Sequence, residues 1–106
     1  MDALQRLIGQ TVERIAGVLV EGRVDYIQVI FADGTNMSIL NPYIYDGADV
    51  FTVSKVKVRD ACETDELLSI RFENNKVLQV DMTDDAFVGP EAIVLVREGE
   101  PTVVWN

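Results

Sequence analysis

Histidine is absent from this chain and cysteine occurs once, at position 62. The two gaps remove much of the side-chain chemistry open to a small enzyme. Without histidine there is no Ser-His or Cys-His relay, no HExxH zinc site and no imidazole proton shuttle. One cysteine forms no disulfide within its own chain. Cys62 stands among acids with no histidine to activate it, so a buried or inert thiol is expected. No apolar run approaches the roughly 20 residues that span a bilayer as a helix. Residues 1–9 lack the basic start and apolar stretch of a secretory leader, so a cytoplasmic setting without membrane contact is expected. Gly89-Pro90 lacks the lysine and helix that would make it a phosphate loop.

Basic residues are also scarce: 9 Lys and Arg face 18 Asp and Glu, a net charge of −9. Such a field repels phosphate, so nucleic acid is not an expected ligand. The imbalance is uneven. Residues 1–59 carry seven acids and six bases, whereas residues 60–106 carry eleven acids and three bases. Asp60, Glu63, Asp65 and Glu66 lie between Arg59 and Arg71 with no base among them. Asp81, Asp84, Asp85 and Glu91 lie likewise between Lys76 and Arg97. Plain solubility is one reason for such acidity. Attraction of a cationic protein is the other.

What the chain has is alternation. Its 106 residues, 48% hydrophobic and 25% charged, suit a single globular domain over 1–106. Leu4, Leu7 and Ile8 share a face at helical spacing and Gly9 follows, which predicts a short helical turn over 2–8. Thereafter the period is two. Ile27, Val29 and Phe31 alternate, Asp33-Gly34 turns, and Met37 and Ile39 return. Leu68, Ile70 and Phe72 repeat the pattern, with Asn74-Asn75 as the turn and Leu78 and Val80 after it. Further strands are expected over 11–20, 50–59, 92–97 and 102–105, with a possible helical turn over 83–87. The expected class is all-β: about eight short antiparallel strands in a sandwich or partly closed barrel. Val29, Phe31, Met37, Ile39, Ile70, Phe72, Leu78, Val80, Val94 and Trp105 form the expected core. A duplicated three-strand unit fits the pattern, pairing Gly9, Val12 and Ile15 with Gly47, Val50 and Val53, and the two hairpins at a spacing of 41.

Chemistry-bearing residues are few. Neither Asp84-Asp85 nor Asp65-Glu66 is flanked by the apolar bulk that splits carboxylate pKa values for acid-base work. Asp81-x-x-Asp84-Asp85 with Glu91 matches no calcium loop, and no glycine inside the 81–85 run sharpens a turn. No catalytic residue, metal or cofactor is therefore expected. Asn41-Pro42-Tyr43-Ile44-Tyr45 reads as a loop whose tyrosines either cap the core or offer contact area. Should the chain bind a protein, the expected surface is Asp60, Glu63, Asp65, Glu66, Asp81, Asp84 and Asp85, with Tyr43 and Tyr45 as anchors.

The run Phe87-Val88-Gly89-Pro90-Glu91-Ala92, the strand after it, and the ending Glu100 to Trp105-Asn106 resemble small bacterial all-β proteins. Gly9-x-x-Val12 leading to a strand-Asp33-Gly34-strand hairpin resembles them too. Some of those proteins resemble immunity proteins of polymorphic toxin systems. The resemblance brings no catalytic motif. It implies a non-catalytic immunity protein or antitoxin that blocks a cationic toxin. The alternative is a small β-module for ligand binding or homo-oligomeric assembly.

Overall fold

The computed structural model describes residues 3–106. Asp2, the first position of the expected helical turn, lies outside them. Among the described residues nine strands form one open antiparallel sheet: β1 (Thr11–Val20), β2 (Arg23–Phe31), β3 (Asn36–Ile39), β4 (Tyr43–Tyr45), β5 (Val56–Glu63), β6 (Leu67–Phe72), β7 (Val77–Asp81), β8 (Ile93–Val96) and β9 (Val103–Trp105). Three 3₁₀ turns, Gln5–Leu7, Val50–Thr52 and Asp84–Ala86, are the helical content of the described residues. No helix among them is long and apolar enough to cross a membrane.

The order across the sheet is β4-β7-β6-β5-β1-β2-β3-β8-β9. Apart from β9 it reads the same from both ends when β1 to β4 are matched with β5 to β8. The hairpins agree bond for bond. Val29 stands opposite Met37 and Ile27 opposite Ile39; Ile70 stands opposite Leu78 and Leu68 opposite Val80. In each turn an Asx side chain accepts a backbone bond two residues on, Asp33 from Thr35 at 2.9 Å and Asn74 from Lys76 at 3.0 Å. Each turn also holds a left-handed residue, Gly34 at φ 90° and Asn75 at φ 67°. Aspartate and asparagine do the same work here because both reach their own backbone.

The upstream segments match at a spacing of 46, which corrects the pairing of Gly9 with Gly47. Leu4 precedes and Leu7 ends one 3₁₀ turn, Val50 opens and Val53 follows the other, and all four are buried. Gly9 at φ 87° then answers to Lys55 at φ 55°, and a bulge follows Val12 and Val58 alike. The strand expected over 50–59 consequently starts only at Val56. Asp49 accepts a bond from the Phe51 N–H at 2.9 Å and caps a 3₁₀ turn in front of it. The halves join where Gly9 N–H donates to the Val58 carbonyl at 2.8 Å and Val58 N–H donates to the Gln10 carbonyl at 2.9 Å.

One core cluster draws on both halves, with Phe31, Met37, Ile70, Phe72, Leu78 and Val80 within it. Two expected core positions shift. Ile93 and Leu95, not Val94, face inward from β8, and Trp105 is half-buried against the cluster's edge. Ile8 is exposed, unlike Leu4 and Leu7. The segment 41–45, expected as a loop, holds the edge strand β4, which pairs with β7 across the halves just as β8 pairs with β3. Each unit thus contributes four strands and lends its fourth to the other.

Candidate functional site

The exchange of fourth strands brings two crossovers together. Asn41, buried at the end of β3, donates its side-chain amide to the Asp81 carbonyl at 2.8 Å. Asp81 N–H donates to the Pro42 carbonyl at 3.0 Å, and Leu40 N–H to the Ala92 carbonyl at 2.8 Å. The side-chain oxygen of Asn41 is buried without a partner, a cost of order 1–3 kcal/mol.

On one side of this crossing lies an acidic depression of about 380 Å³. Glu63, Asp65 and Asp84 line it with Met82, Phe87 and Pro90, and no Lys or Arg does. Local bonds hold its rim. The Thr64 hydroxyl accepts from the Leu67 N–H at 3.1 Å, and Met82 N–H donates to the Glu66 carbonyl at 2.8 Å, so the β5–β6 turn is fastened to the end of β7. Trp105 donates its indole N–H to Glu63 at 3.2 Å and fixes β9 to the same rim. Asp84 and Asp85 are exposed in the 3₁₀ turn. Asp81 is committed to its own turn: Thr83 donates to it from its backbone at 3.0 Å and its hydroxyl at 2.7 Å. Those bonds, the backbone one foremost, hold the Asp81 carboxyl below the usual carboxylate range.

Three of the seven acids expected at a binding face, Glu63, Asp65 and Asp84, therefore line one depression, and Glu66, Asp81 and Asp85 lie in the same two segments, 63–66 and 81–85, without lining it. Asp60 does not join them. It pairs across strands with Arg71 and shares a separate hollow with Arg59 and Arg71. The bulge after Val58 turns both Arg59 and Asp60 outward and places Asp60 there, and counting charges along the chain misses that. Among the described residues no three Cys, Asp or Glu side chains are grouped as they would be around a metal ion. Cys62, expected to be buried or inert, is exposed on β5.

The two tyrosines take different places. The Tyr45 ring meets Phe72 edge-on, with centroids 6.5 Å apart at 64°. It lies so close over Gly47 that a methyl group there would strike the ring. Tyr45 is a core cap. Tyr43 instead lines a groove of about 420 Å³ walled by the crossing residues Asn41 and Pro42, with Val24, Tyr26 and Val88. Burial, and then the charge of Asp49, pushes the Tyr43 phenol upward. Burial, and then Asp46, does the same to Tyr45.

Phe87 faces the acidic depression and Val88 the apolar groove, so one loop separates the two. Neither residue stands out in sequence as a surface feature. The signal was the Gly89-Pro90 that follows, which keeps this apolar pair out of a strand. No family model, curated protein or solved structure matches the chain.

Proposed function

We propose that this chain is a non-catalytic, cytoplasmic binding protein whose acidic crossover end seats a cationic protein, as an immunity protein or antitoxin seats a bacterial toxin. One observation carries the reading. Glu63 and Asp65 at the β5–β6 turn and Asp84 from the 3₁₀ turn after β7 line a single depression that holds no base. Unopposed carboxylates in one hollow add their fields, and the hollow's walls concentrate them. A toxin that cleaves nucleic acid needs positive charge to hold phosphate, and an acidic inhibitor meets that charge directly. Met82, Phe87 and Pro90 line the same depression and offer apolar contact beside the acids.

The test begins with the basic protein that the immobilised chain retains from its native host. Association of that partner should slow as salt brings the screening length below about 10 Å. Replacing Asp84→Lys and Asp85→Lys together should slow it roughly tenfold at low salt. Both side chains are exposed, so the melting temperature should hardly move. An unchanged association rate in the folded double variant contradicts the reading.

A further inference from the structure

The two halves differ in one respect that points to a ligand. Asp81 N–H donates to the Pro42 carbonyl and Asp46 N–H to the Val77 carbonyl. In an antiparallel pair the bonded positions alternate. Residues 42, 44 and 46 therefore turn their backbone toward β7, and Tyr43 and Tyr45 turn theirs away. In the other half Leu40 N–H donates to the Ala92 carbonyl, so Ile93 and Leu95 are the outward pair. There Trp105 stands opposite Ile93 and Val103 opposite Leu95, and β9 satisfies the edge. At Tyr43 and Tyr45, which occupy the matching positions, no strand of the described chain lies alongside.

The open edge has an apolar border. Ile44 is 70% exposed, Val88 81% and Val24 51%, and the last two line the groove that Tyr43 enters. The groove itself is acidic. Asp25 lines it with no Lys or Arg, and the charge of Asp49 reaches Tyr43, whereas Asp46 accepts from the Val77 N–H and shares a separate hollow with Arg71. A second copy of the chain, with its own net charge of −9, would bring the same acids to meet them.

We propose that the free edge of β4 receives an extended segment of a basic partner protein. The segment adds as a tenth strand in the place that β9 takes on β8, with apolar residues at its centre and Lys or Arg at its flanks. Backbone bonds to Tyr43 and Tyr45 fix its register. The shortness of β4 keeps the bare edge from self-pairing until a charged partner is held nearby. The proposal rests on the cationic-partner reading for its charge, and on the match between the two halves for its geometry.

The probe is the peptide Lys-Lys-Thr-Val-Val-Trp-Lys-Lys, which carries the core of β9, titrated into the full chain while amide hydrogen exchange is followed. At ten times its Kd the Tyr43 and Tyr45 amides should exchange about tenfold more slowly. Those of Ile93 and Leu95, already bonded to β9, should not change. The same peptide with alternate backbone N-methyl groups keeps its charge but loses its donors, and should give no protection. If the lysine peptide shifts Glu63, Asp65 and Asp84 yet leaves both tyrosine amides unchanged, the strand proposal falls and the acidic reading stands. A serine-flanked peptide that protects the tyrosines equally well overturns the basic flanks of the proposed segment and leaves the acidic depression to its own test, the paired Asp84→Lys and Asp85→Lys replacement. Absence of protection by any peptide overturns the proposal. Protection already present in the free chain, with a dimer in sedimentation, overturns it in favour of a second copy.

Discussion

Tyr43 and Tyr45 are adjacent in design and separate in role. Tyr45 closes the core over Phe72, and Tyr43 borders a groove. Both phenols are raised by burial first and a neighbouring carboxylate second, so the folded chain favours their neutral form. A raised phenol contributes stability that is whole below its unfolded value, about pH 10, and is lost as pH climbs through the folded value. Tyr43→Phe should therefore flatten the loss of stability above about pH 10, as urea midpoints on either side of that value would show. An equal alkaline loss in the variant would mean Tyr43 ionises freely. The acidic limb has the opposite sense. Asp81 and Glu100 are held down by bonds from Thr83 and Arg6. Burial pushes Asp33 up, but the bonds from Thr35 outweigh it and leave its carboxyl lowered. Their contribution is whole above about pH 4 and fades as pH falls through the folded values.

At the scale of elements, the paired turns before β1 and β5 make a matched experiment. Gly9 and Lys55 occupy the same left-handed position, and nothing lies within 4 Å of where a Cβ on Gly9 would stand. Gly9→Ala should then cost about 1–2 kcal/mol through backbone conformation alone. Lys55→Gly should change stability by less than about 1 kcal/mol, in the stabilising direction, since relief of the left-handed strain is partly offset by chain entropy. Urea melts that gave both substitutions the same sign would break the equivalence of the halves. The hairpins were legible in sequence because alternation and turn chemistry agreed at Asp33-Gly34 and Asn74-Asn75. The upstream match was not, because lysine stands where glycine would have announced the turn. β4 was not, because three residues after a proline carry too little alternation to register as a strand. The acidic end was half legible. Its charges are local runs, visible in the chain, but the groove depends on pairings between distant strands, and the removal of Asp60 depends on a bulge in β5 that alternation does not announce.

For the whole molecule, the exchange of fourth strands means that neither half closes its sheet alone. β4 completes the second half and β8 the first. It also means that both crossovers meet at one end, with the acidic depression and the apolar groove on either side of one loop. The tight turns at Asp33-Gly34 and Asn74-Asn75 sit at the other ends of β3 and β7. With the crossover end as the proposed binding face, the decisive measurement is amide exchange of the chain, free and bound to its native partner. Exchange should slow over residues 63–67 and 82–88 and at Tyr43 and Tyr45, with the two tight turns unaffected. Protection confined to residues 32–35 and 73–76, with the crossover end unchanged, would contradict it.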